Sequence, residues 1–199
     1  MNRIAIITLF AVLLLFQRHV VAQDSEEDDT PIAFELPAPA PDKALVIFTR
    51  PPLEAPVIQF QYYDGGQYLG KIGPGSYLVY ECDPGSHVLW GKSENMSFID
   101  ADLEAGRVYL VNTRVTSGLT RARVDLVPYD PTQKNAERLK NRLLRRISTR
   151  EEIRVQAGAL DASDHAKQAA RGLERYEQLK AKETKLETMR PDMYVQKLR

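Results

Sequence analysis

The spacing of hydrophobic positions changes twice along this chain. Residues 4–16 form an unbroken run without charge. Between 44 and 127 the apolar residues come in short runs and alternations, cut repeatedly by Gly and Pro. After Pro131 they recur every three or four positions. Alternation at period two marks strands, and three-four spacing marks one face of a helix.

In the middle region the pattern predicts strands over 44–49, 57–63, 67–72, 76–82, 87–91, 96–103, 107–115 and 121–127. The first is almost wholly apolar, which suits a central strand buried on both faces. Asp64-Gly65-Gly66, Gly73-Pro74-Gly75, Asp83-Pro84-Gly85 and Ala105-Gly106 separate the strands. Glycine there accepts the positive φ that tight reversals need. Seven or eight short strands at such spacing predict an antiparallel β-sandwich domain over 43–130.

Residues 131–199 read as a helical tail. Leu139, Leu143 and Ile147 line one side of a helix over 132–147, with Ala136 and Leu144 beside them. The other side carries Lys134, Arg138, Lys140, Arg142, Arg145 and Arg146. Ser148 or Thr149 caps an expected second helix, with Glu151 and Glu152 in its first turn, weakened by Gly158. Asp161 or Ser163 caps an expected third, which runs to about Met189 before Arg190-Pro191 stops it. Its apolar positions are Ala166, Ala169, Leu173, Tyr176 and Leu179.

The opening run changes where the protein is expected to act. Arg3 precedes it and Val20-Val21-Ala22 follows, the pattern of a signal peptide over 1–22 cleaved before Gln23. The run is shorter than the roughly 20 apolar residues of a membrane span; an uncleaved anchor is the alternative. The mature chain is therefore expected in the periplasm or outside the cell. The single cysteine, Cys82, lies far from this run, so no lipid anchor is expected. It also cannot form an internal disulfide, so the β domain must be held by its own core. Residues 23–42 are first acidic and then proline-rich, which favours an extended linker.

The net charge of zero hides a split. Residues 23–130 hold 8 Lys and Arg against 17 Asp and Glu, and residues 131–199 hold 17 against 10. The tail is thus suited to an acidic surface, either within the chain or on a partner. No nucleic-acid partner is expected of an exported protein.

Several segments resemble a known family. Asp64-Gly65-Gly66-Gln67-Tyr68-Leu69-Gly70 resembles the Asp-Gly hairpin of PEGA-like β domains. Gly75-Ser76-Tyr77, Pro84-Gly85-Ser86-His87 and Leu103-Glu104-Ala105-Gly106-Arg107-Val108-Tyr109 resemble the steps that follow it. In this order they are similar to a bacterial family of small exported proteins, often lipoproteins, known as a domain of unknown function. The resemblance covers roughly 43–115 and none of the tail. It implies a prealbumin-like sandwich, an envelope location and no catalytic residues. The chain lacks the family's usual lipid-bearing cysteine.

No motif for catalysis is found. His87 and His165 are the only histidines after residue 22, too few for a zinc site with Cys82 alone beside them. Ser86 and His87 are adjacent and so point to opposite faces of a strand. No nucleophile elbow or phosphate loop is present, and no cofactor is expected. Asp100, Asp102 and Glu104 share one strand face, which gives two readings: a solvated face, or a calcium site. Asn95-Met96-Ser97 fits the N-glycosylation acceptor pattern, which has no meaning in a bacterial protein.

The leading expectation is a non-catalytic envelope or secreted module that binds or scaffolds. Its tail would dock another envelope protein or a second copy through Leu139, Leu143, Ile147, Leu173 and Tyr176. A rival reading is a carbohydrate or cell-wall binder using Tyr62, Tyr63, Tyr68 and Trp90, since aromatic faces hold sugar rings. Tyr62 and Tyr63 are adjacent, so one of them faces away from the core. A third reading is an enzyme with a site outside known motifs. The basic helix over 132–147 also has the amphipathic form that rests on an anionic membrane surface.

Overall fold

The computed structural model describes residues 34–52, 58–118, 122–154 and 162–195. The expected signal peptide, the acidic part of the linker and Gly158 of the expected second helix lie outside the described residues. The described part is mainly β. The strands are β1 (Ala44–Thr49), β2 (Phe60–Asp64), β3 (Gln67–Ile72), β4 (Ser76–Cys82), β5 (Gly85–Lys92), β6 (Met96–Leu103), β7 (Val108–Ser117), β8 (Ala122–Pro128), β9 (Glu151–Arg154) and β10 (Glu187–Met189). Two helices, α1 (Ala136–Ser148) and α2 (Ala162–Ala181), interrupt the last strands.

The strands form two five-stranded sheets, with orders β8-β7-β1-β4-β9 and β10-β6-β5-β2-β3. Their inward residues share one core that includes Val46, Phe48, Tyr62, Leu78, Leu89, Ile99, Val111 and Leu126. This arrangement is consistent with a sandwich. It is not antiparallel throughout. Hairpin neighbours such as β2–β3 and β7–β8 are antiparallel. However, β1–β7, β4–β9 and β10–β6 are parallel. Each parallel pair joins strands distant in sequence, because a parallel partner needs a long return path that a tight turn cannot supply.

β1 is central and buried on both faces, as its composition predicts. Ala44, Val46 and Phe48 enter the core between the sheets, while Leu45 and Ile47 point to the opposite side. That opposite side is covered by α1, whose Ala136, Leu143, Leu144 and Ile147 pack on Leu45, Ile47, Tyr77, Val79 and Leu110. The helix starts later than its spacing predicts. Thr132 turns back instead, donating from its backbone N–H (2.9 Å) and its hydroxyl (2.7 Å) to the Asp130 carboxylate. Such a turn competes with helix initiation.

The expected second helix begins as a strand. Residues 151–154 form β9, in register with β4 from Ser76↔Glu151 to Val79↔Arg154. The expected third helix stops at Ala181, and 187–189 forms β10 beside β6. The region after 131 is therefore part of both sheets as well as helical. After β10 the chain crosses to the first sheet: the Val195 N–H donates to the Val108 carbonyl (2.8 Å), and its side chain joins the cluster under α1.

β8 lies at an edge of the first sheet, and side chains seal it. The Asn95 amide donates to the Val124 carbonyl and its oxygen accepts from the Val124 N–H, both at 2.8 Å. Ser97 Oγ accepts from the Leu126 N–H (3.0 Å), and Ser93 Oγ donates to the Ala122 carbonyl (2.6 Å). Asn95 thus imitates one rung of a β ladder. Both polar residues of the Asn95-Met96-Ser97 pattern are engaged in this seal.

Candidate functional site

The outer face of the second sheet carries a row of rings. Cross-strand register places Tyr68, Tyr63, Trp90 and Phe98 side by side on β3, β2, β5 and β6. Tyr63 stacks on Trp90 at 3.9 Å between centroids with 8° between planes. Tyr68 and Phe98 continue the row at 5.2 and 5.8 Å. Each such pair adds about 0.5–1.5 kcal/mol beyond the area it buries. The Trp90 indole N–H donates to the Gly65 carbonyl (3.0 Å), so the buried ring leaves no polar atom unmet.

Helix α2 lies along this row and is held at both ends. The His165 ring stacks on Tyr68 at 3.6 Å, and Tyr176 meets Phe98 at 5.8 Å. Between them Ala169 packs on the rings, and Gly172 sits so close to Trp90 that a Cβ would lie 2.3 Å from the indole carbons. Beyond the rings, Tyr176 Oη donates to Asp100 Oδ1 (2.6 Å) and Lys180 Nζ donates to Asp100 Oδ2 (3.0 Å). Burial, and then the bond to Asp100, raise the Tyr176 phenol above its usual range. Burial also pushes Tyr63 up to about 12. These phenols stay protonated at neutral pH.

The structure brings Tyr63, Tyr68 and Trp90 together with Tyr176 of the tail, and Leu173 lies beside the Gly65-Gly66 turn. It does not offer the first three as an open platform. Tyr63 and Trp90 are fully buried under α2, and Tyr68 is half-buried. Tyr62 points the other way, into the core between the sheets, where its hydroxyl pairs with Thr113 Oγ1 (3.0 Å). Adjacent tyrosines do take opposite faces; the outer one is covered because a helix lies on it.

The other predicted docking residues are also used within the fold. Leu143 and Ile147 are buried and Leu139 is partly buried against the first sheet. The apolar face of α1 is therefore occupied within the fold. Asp100 is bound by Tyr176 and Lys180, while Asp102 and Glu104 are exposed. Among the described residues no three His, Cys, Asp or Glu groups cluster to hold a metal ion. Nor is any helix among them long and apolar enough to cross a membrane.

Sequence spacing found part of the α2 seam: Ala169, Tyr176 and Leu179 pack in the ring cluster, and Leu173 lies beside Gly66. It missed His165 and Gly172, which complete the contact with Tyr68 and Trp90. Ala166, expected in the seam, is exposed. A glycine and a histidine do not register as apolar, so the stripe was legible only by position.

A second constellation lies at one end of the inter-sheet core. Asp64 Oδ2 accepts from Tyr80 Oη (2.8 Å) and lies 2.6 Å from His87 Nδ1. His87 Nε2 lies 2.9 Å from the Asp83 carbonyl. The bond to Asp64 raises the His87 imidazole above its ordinary value, against the opposing effect of burial. Cys82 lies on the adjoining part of β4, and burial followed by the charges of Asp64 and Asp83 pushes its thiol up to about 12. It is a protonated core side chain at neutral pH, with Sγ 3.9 Å from the Ala44 carbonyl.

No protein-family profile matches the chain, and no curated protein matches it in sequence.

Proposed function

We propose that this protein is a non-catalytic exported module in which the β domain is a scaffold and α2 presents a docking face. The carrying observation is the seating of α2. Ring stacking at both ends, a glycine against Trp90 and two bonds to Asp100 fix its inner side. Its outer side leaves Lys167, Arg171, Glu174, Arg175 and Glu177 exposed along about three turns. A helix held this firmly shows its charged face without the ordering cost that a loose tail would meet on binding. The partner is another envelope protein or a second copy. It meets charge on α2 rather than the apolar positions, which are used in the fold.

The β domain is on this reading a PEGA-like sandwich. The positive φ of Gly65, Gly70, Gly75, Gly85 and Gly106 falls at the glycines that carry the resemblance. Export would proceed through the segment 1–22.

Crosslinking affinity purification from the cell envelope tests the docking face. Mature chain from Gln23 is compared with the Lys167→Glu/Arg171→Glu/Arg175→Glu variant. Capture of a defined partner by the first alone supports the reading. Equal capture by both moves the docking face away from α2, and capture by neither removes docking altogether. Amino-terminal sequencing of the exported chain tests export; a start at Met1 would contradict cleavage.

A further inference from the structure

His87 has an acceptor at each ring nitrogen: a carboxylate at Nδ1 and a backbone carbonyl at Nε2. A carbonyl oxygen can only accept, and an ionised carboxylate can only accept. A neutral imidazole has one N–H, so it would turn a lone pair toward one of these oxygens. Only the doubly protonated ring satisfies both. The ring is 15% exposed and the Asp64 side chain 10%, so the bond to Asp64 is shielded from water, while the bond to the Asp83 carbonyl lies at the surface.

The partners tie different parts of the fold. Asp64 ends β2 in the second sheet, and it also holds Tyr80 of β4 in the first. Asp83 lies in the turn that carries the chain from β4 to β5. The ring therefore joins the end of one sheet to the connection between the two.

We propose that His87 is a proton-operated clip: protonated, it closes this end of the inter-sheet core, and on losing its proton it releases the β4–β5 turn and uncovers Cys82.

The neighbouring groups leave this role to His87 at neutral pH. Lys43 holds Asp83 below its ordinary range, and Asp83 holds Lys43 above its own. Tyr80 and Cys82 are both raised, chiefly by burial. From β6 the residues facing inward here are Ala101 and Leu103, which carry no charge. The sign follows from the raised value of His87. Its contribution is complete below the ordinary histidine value near 6.5, and is lost as pH rises through the folded-state value. Between the two, the folding equilibrium constant falls by up to about tenfold per pH unit.

The test uses mature chain at pH 5.5 to 9. Nitrogen-15 correlation spectra of the imidazole are expected to show both His87 nitrogens protonated at pH 7, with a midpoint above the ordinary histidine value near 6.5. Alkylation of Cys82 by iodoacetamide, divided by the rate for the urea-unfolded chain at the same pH, should rise across that midpoint. In His87→Gln the ratio should lose this step. A neutral His87 tautomer at pH 7 would overturn the proposal, as would an unchanged alkylation step in His87→Gln. If His87→Gln does not fold, the wild-type spectra alone decide, since they read the proton directly.

Discussion

At the scale of the residue, Gly172 shows how little of a contact can be visible in sequence. Glycine in mid-helix costs about 1 kcal/mol relative to alanine, and a reader of the sequence counts it against the helix. Here the missing side chain is what lets α2 approach Trp90 at this point. We expect Gly172→Ala to destabilise the fold by about 1–3 kcal/mol through overpacking, despite its better helix propensity. Because Trp90 is the sole tryptophan, a urea titration followed by its fluorescence reads the change at the contact itself. Unchanged or increased stability would refute the seating. The tyrosine pair was legible, since adjacent strand residues must diverge. That both are buried was not, because only a long-range helix covers the second.

At the scale of the element, glycine and proline marked most strand limits, and β1, β3, β4 and β6 lie where the sequence pattern put them. β9 was hidden by a genuine helix signal: capping residues followed by Glu151 and Glu152. Pairing with β4 overrides that local preference. The end of α2 was hidden for a different reason. It closes in a Schellman turn, with Thr184 N–H to Leu179 O (3.0 Å) and Glu183 N–H to Lys180 O (3.0 Å). The left-handed position of that turn holds Glu183 at φ 52°, where glycine would be the usual stop signal. Glu183→Gly should therefore stabilise the protein by about 0.5–1 kcal/mol, the strain relieved less the chain entropy of glycine. Thermal unfolding measures it, and a loss of stability would disprove the strain. At the β8 edge, Asn95→Ala removes two hydrogen bonds worth about 1 kcal/mol each and bares a ladder edge. We expect lower stability together with concentration-dependent association in sedimentation velocity; a strictly monomeric variant would show that the seal has no protective role.

At the scale of the molecule, the division into a β domain and a tail was the part that sequence could not correct. Periodicity is local, and nothing local shows that residues after 131 return to pair with β4 and β6. Removing everything after Asp130 would strip both helices and two edge strands. It would expose Leu45, Ile47 and Tyr77 on one side and Tyr63, Trp90 and Phe98 on the other. We expect the 23–130 fragment to bind a hydrophobic dye and to unfold without a cooperative transition. A sharp transition near that of the whole chain would show that the β region is self-sufficient.

The clasp made by 187–195 also has a meaning in time. Glu187–Met189 completes the second sheet, and Val195 fastens the chain to Val108 in the first. Neither sheet is closed until these residues have emerged from the ribosome. Until then the chain lacks an edge strand of the second sheet and one of the links between the sheets, and contacts of such sequence separation form slowly. A chain of this order therefore gains its last sheet pairing only after residues 187–189 have been made, however early its other strands appear.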